Sequence, residues 1–330
     1  MFKRPRLRPT HHIVNASLAA MVIFLAACSA DKTETTENPP ENNAPVTPIE
    51  NANTVELQAV WATNPLTDSI TSLAFVGGPQ PILAASLADG GLQLFDLQGD
   101  RITAPVDLSV KRIASGQAVV LGGVALTLFP GINLNDDLSF YAYARALGDP
   151  VELDFLQGID AAGLCAGPPL DDTAVMQLAY WTKATPTELV HGHVAQDESE
   201  ELSWHPIATI KSEAGPITAC LADAELQLAT ADQADKALSL AALEKYGERF
   251  VFAQTQNGGL NMTDQRGQTR PAKVLDGITV RTPNPPRAMA VLSDVQFGNY
   301  PNGLLVLGGS VKGEIQITLI EPGNLFRNAR

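Results

Sequence analysis

One arrangement recurs along residues 69–319: an apolar run, a turn, a second apolar run, a Gly-containing turn, and an alternating third run. A unit of that kind cannot cover its own apolar faces, so neighbouring copies must stack against one another. The clearest copy spans residues 69–102, where Leu83-Ala84-Ala85 leads through Asp89-Gly90-Gly91 into Leu92, Leu94 and Leu97. Its Gly pair supplies the positive φ that a tight hairpin needs. The second copy runs from Val106 through Val119-Val120-Leu121 to Leu138 and Tyr143, and the third from Gly163 through Met176-Gln177-Leu178 to Val190. A fourth holds Ile217 to Cys220 and Leu226 to Ala229. Arg249 to Ala253 with Leu260-Asn261-Met262 forms the fifth, and Gly303 to Leu307 with Ile315 to Leu319 the sixth.

Six copies predict an all-β chain folded as a six-bladed β-propeller, in which radial repetition leaves only short, protected edges. Little chain separates Ile217 from Ala237, so the fourth blade is expected to lack its outer strands or to borrow them. Five blades or a β-sandwich are the alternatives. Helical periodicity is scarce, and the Ala- and Leu-rich segment 234–246 is the one expected to be helical. Phe95, Phe140, Tyr141, Phe250 and Phe252 sit at alternating positions and are expected to pack between blades.

The N-terminus is organised differently. Lys3, Arg4, Arg6 and Arg8 precede an apolar stretch from Ile13 to Ala27, the layout of a secretory leader. It ends in Leu25-Ala26-Ala27-Cys28, which resembles the bacterial lipobox. The apolar stretch is shorter than a membrane-crossing helix needs. Residues 1–28 are therefore expected to be a lipoprotein signal ending at a lipidated Cys28. Ser29 after it favours the outer membrane of a bacterial envelope. Residues 29–53, rich in Thr, Glu, Asn and Pro, cannot bury enough surface to fold and are expected to be a tether. The folded domain is then 54–330.

The chain carries 22 Lys plus Arg against 36 acids; losing the four leader cations changes the balance from −14 to 18 − 36 = −18. A chain this acidic is a poor partner for nucleic acid or anionic lipid. Beyond Cys28 there are Cys165 and Cys220, which an oxidising compartment would allow to pair; two buried thiols are the favoured reading.

Three stretches resemble the β-propeller phytases: GGLQLFDLQGDRI at 90–102, FVFAQTQNGGLNMTDQRGQ at 250–268, and Tyr300-Pro301-Asn302-Gly303-Leu304-Leu305-Val306. That resemblance implies six blades and calcium-dependent hydrolysis of phosphomonoesters of phytate, as in a 3-phytase. It also implies a ring of carboxylates holding Ca²⁺ at the channel mouth. Aligned on the family's acids, Asp68, Asp107, Asp232 and Asp235 are the positions that could ligate metal, while Ala237, Pro285 and Ala288 stand where other ligands would be. Calcium takes six to eight oxygen ligands, so so few acids do not build a multi-calcium site. The catalytic residues are left unassigned. The leading expectation is a degenerate module that binds a small molecule or a protein partner, with the calcium-dependent phytase as the alternative.

Two further groups invite chemistry. His191-Gly192-His193 on a strand would aim both imidazoles at one face, with Asp197 and Glu198 close in sequence as further metal ligands, although a solvated blade edge explains them as well. Lys111, Arg112, Arg145, Lys183, Lys211, Arg266 and Arg287 are candidates for phosphate contact by the same resemblance, each also readable as a surface charge. The short hydrolase, nucleotide-loop and paired-cysteine motifs are absent from the region after Cys28.

Overall fold

The computed structural model describes residues 54–153, 156, 158–198, 201–233, 236–293 and 300–326. Cys28, the tether and Asp235 lie outside the described residues. The described chain is built of strands, apart from a short 3₁₀ turn at Gly323–Phe326.

After β1 (Val55–Ala62), blade 1 comprises β2 (Ile70–Val76), β3 (Ile82–Leu87), β4 (Gly91–Phe95) and the two-residue β5 (Val106–Asp107). Strands β3 and β4 are buried along their whole length, because both faces of a blade are covered by its neighbours. That explains why they read as continuous apolar runs rather than alternating ones. In the β3–β4 turn Gly90 alone adopts the positive φ, at 92°; Gly91 follows as the first strand residue.

Blade 2 orders β6 (Val110–Ile113), β8 (Val124–Asn133), β9 (Leu138–Tyr143) and β10 (Val151–Leu153) from the centre outward. The apolar run at Val119-Val120-Leu121 is not one of these but β7 (Gln117–Leu121), which folds back onto β8. Blade 3 holds β11 (Ala161–Gly167), β12 (Ala174–Thr182), β13 (Glu188–Gln196) and β14 (Leu202–Lys211). Among the described residues blade 4 has two strands, β15 (Ile217–Leu221) and β16 (Gln227–Thr230), so the short fourth copy lacks its outer half there.

Blade 5 contains β17 (Ala237–Lys245), β18 (Glu248–Thr255), β19 (Leu260–Asp264) and β20 (Thr269–Leu275). Here the expected helix at 234–246 is corrected: its described part is the innermost strand, pairing with β18 from Ala237↔Thr255 to Lys245↔Glu248. Ala and Leu rank among the best helix formers, but the preference is worth only tenths of a kcal/mol per residue, and nine residues with a ready sheet partner do better as strand.

Blade 6 runs β21 (Ala288–Leu292), β22 (Leu304–Val311) and β23 (Glu314–Glu321), and β1 completes it by antiparallel pairing with β23. The first half of β1 pairs in parallel with β20, from Val55↔Ala272 to Gln58↔Leu275. Blades 5 and 6 therefore form one eight-stranded sheet, and a strand upstream of every repeat closes the ring. The core lies between blades, where Phe95, Phe140, Tyr141, Phe250 and Phe252 are all buried as expected.

Candidate functional site

The innermost strands of all six blades, β2, β6, β11, β15, β17 and β21, surround a central cavity of about 700 Å³. Its wall is knit by hydroxyl groups on those strands. Ser72 Oγ accepts from the Ile113 amide at 2.8 Å, joining blade 1 to blade 2. Thr218 Oγ1 donates to the Ala237 carbonyl at 2.7 Å, joining blades 4 and 5. Ser293 Oγ accepts from the Glu244 amide at 3.0 Å and donates to the Ala242 carbonyl, joining blades 6 and 5.

Between blades 3 and 4 the link is covalent. Cys165 on β11 and Cys220 on β15 form a disulfide, which corrects the expectation of two thiols. The two inner strands approach closely, since a Cβ on Gly167 would lie 1.8 Å from the Ala222 carbonyl oxygen. Gln177, buried on β12, adds hydrogen bonds to the carbonyls of Pro168 and Asp223, and Arg249 of blade 5 pairs with Asp223 at 3.2 Å. No sequence spacing could announce the disulfide, because it depends on two inner strands becoming neighbours.

The cation that matters in the cavity is Arg112, on the inner strand of blade 2. Burial pushes its guanidinium below the ordinary arginine value. Among the described residues it has neither a hydrogen-bond nor an ion-pair partner. The acids on the same wall are otherwise placed: Asp223 is engaged by Arg249, and Glu244 is exposed. Arg287 also lines the cavity but is solvent-exposed. Of the other cations singled out from the sequence, Lys111 and Lys183 both bind Asp136, while Arg145, Lys211 and Arg266 are exposed outside the cavity.

The anticipated metal acids sit on separate connections. Asp68, before β2, accepts from the Ser69 amide at 2.6 Å, and Asp107, ending β5, accepts from the Ser109 amide at 3.2 Å. Asp232, after β16, packs its carboxylate over Gly215. Among the described residues no three His, Cys, Asp or Glu side chains converge as a metal site. Among the described residues, Asp68, Asp107 and Asp232 do not converge into the oxygen-rich coordination that calcium requires.

The histidine motif is placed as its period of two implies. His191 and His193 share the face of β13 that looks toward blade 4, and His191 Nε2 lies 3.3 Å from Gln177 Oε1. Asp197 and Glu198 do not join them in a three-ligand group. A third histidine escaped the sequence reading: His205 on β14 stands opposite His193, with ring centroids 5.2 Å apart.

No protein-family model matches the chain, and no curated protein matches it. Among solved structures it is similar to the fungal lectin from Aleuria aurantia, described as a six-bladed β-propeller with a novel fucose recognition mode. The TM-score is 0.51 at 12% identity, covering 78% of this chain and 93% of the lectin. A point variant of that lectin in complex with Fucα1-6GlcNAc gives a TM-score of 0.50 at 11% identity, with the same coverage. At such identity the likeness shows the architecture: the chain is a six-bladed β-propeller, and no phytase family is indicated.

Proposed function

We propose that the protein is a ligand-binding propeller, held at the bacterial envelope by a lipid on Cys28, which seats a small anion-bearing molecule in its central channel. The observation that carries this reading is Arg112, a half-buried guanidinium facing a cavity of about 700 Å³ without a partner among the described residues. A guanidinium removed from water without a counter-charge is costly, and an incoming carboxylate, sulfonate or phosphate offsets that cost with paired hydrogen bonds. The cavity volume suits a small molecule. The disulfide supports an oxidising, extracytoplasmic location. A calcium-dependent phosphomonoesterase would need carboxylates that the described residues do not gather, so binding without turnover is the reading favoured here.

The test is a thermal-shift screen of small carboxylates, sulfonates and phosphates against the purified chain, followed by calorimetry. Arg112→Gln is expected to weaken the best ligand about tenfold or more, the worth of a charge-assisted contact. Equal binding by both proteins, or no ligand in the panel, would overturn the assignment. For the anchor, radiolabelled palmitate should enter the wild-type chain in a bacterial host and be lost in Cys28→Ser.

A further inference from the structure

The sequence holds five histidines, and all three that lie beyond residue 53 come together on one face of blade 3. On β13 and β14 the residues facing blade 2 are apolar, Val194, Leu202 and Trp204 among them, and they pack into a shared core. The opposite face looks toward blade 4, which among the described residues ends after β16 and has no strands at that radius. His193 is partly exposed there and His205 exposed, so missing outer strands leave both imidazoles open to solvent.

The geometry points to a surface site for a divalent transition metal, Cu²⁺ before Zn²⁺, held between His193 and His205. The two are direct cross-strand partners on neighbouring strands, with rings 28° from parallel and centroids 5.2 Å apart. Opposed side chains on adjacent strands have Cβ atoms about 4.5–5.5 Å apart, a span over which two imidazole nitrogens can reach one ion. Imidazole suits zinc and copper, and affinity rises toward Cu²⁺ along the divalent series. The existing contact is easily exchanged: among the described residues His205 Nε2 hydrogen-bonds with the Ser203 hydroxyl, at 2.9 Å. Nearby, His191 is held against Gln177, its Nε2 3.3 Å from Oε1. It is a neighbour of the pair and not a ligand.

With no third His, Cys, Asp or Glu converging among the described residues, water fills the remaining coordination positions. Such a site is exchangeable and open, unlike a closed structural zinc. It is separate from the channel and does not depend on Arg112.

The purified full chain would be titrated with CuCl₂ and followed by electron paramagnetic resonance, where nitrogen splitting counts the bound imidazoles. His193→Gln and His205→Gln are each expected to remove one copper equivalent with two-nitrogen splitting, whereas His191→Gln retains it. His11 and His12 are present in every variant, so the site is read as the difference between proteins. Matching unfolding curves without metal establish that the variants fold. Copper uptake unchanged by His193→Gln and His205→Gln, or none in the wild type, overturns the assignment.

Discussion

Blade 6 draws its strands from residues 288–321 and from β1, far upstream, whereas blade 4 consists of β15 and β16 alone. Blade 5 stands between them and registers the difference on its two faces. Toward blade 6 it presents Phe250, Phe252 and Met262, all buried in one core with Leu57 and Leu305. Toward blade 4 it presents Val251, Ala253, Asn261 and Thr263, each only partly buried, with a small contact of Ala219, Ala229 and Ala237 at the inner end. A complete neighbour permits large apolar side chains; a truncated one leaves small and polar ones. On the blade 5 side the Arg249–Asp223 pair adds to that small contact, while on the blade 3 side the Cys165–Cys220 disulfide lies within a buried cluster of Trp181, Leu189 and Ile217.

The comparison breaks most sharply at adjacent positions of β18. Phe252→Ala should cost about 3–5 kcal/mol, the range for a fully buried aromatic. Val251→Ala, on the face toward blade 4, should cost about 1 kcal/mol or less, because its site already meets solvent. Urea unfolding of the two variants checks this, and equal losses would mean that the blade 4 side is packed as tightly as the other.

Next in size is the covalent link. It joins residues 55 apart in sequence, and removing it with the pair Cys165→Ala and Cys220→Ala should cost about 2–4 kcal/mol. Reductant should lower the melting temperature of the wild type and leave that double variant unchanged. An unaltered wild-type melt in reductant would show that blade 4 is held by its neighbours without the bond.

Much of this contrast was legible in the sequence. The repeats gave the blades, and the little chain between Ile217 and Ala237 announced the truncation. What escaped is non-local. β1 carries no repeat signature and acquires its role by pairing with Glu321 and Ala272, at the other end of the ring. Arg112 looked like any of seven cations until six inner strands enclosed it. His205 became a partner of His193 only through the β13–β14 register. The helix expectation for 234–246 failed because local propensity is worth tenths of a kcal/mol per residue, less than a full sheet partner contributes.

The smallest effect probes a junction between two larger blades. Asp136, in the β8–β9 turn of blade 2, binds Lys111 of its own blade and Lys183 of blade 3. Hydrogen bonds from the two ammonium groups hold its carboxyl well below the usual range, from 3.8 down to about 2. A folded-state value lower than the unfolded one means that the carboxylate favours the native state. The contribution is complete above the unfolded value and disappears as pH falls through about 2. Asp136 also sits at a φ of 70°, which Asn tolerates as well, so Asp136→Asn removes the charge without burdening the turn. The wild type should therefore be slightly the more stable at neutral pH, and the gap should close between about pH 4 and pH 2. Acid titration of both proteins by circular dichroism reads that gap. If it persists undiminished at the acid end, the bridge contributes nothing and Asp136 acts through its turn alone. The blade 2–3 junction would then rest on its apolar core, in contrast to blade 4, which carries the Cys165–Cys220 disulfide on one side and the Arg249–Asp223 pair on the other.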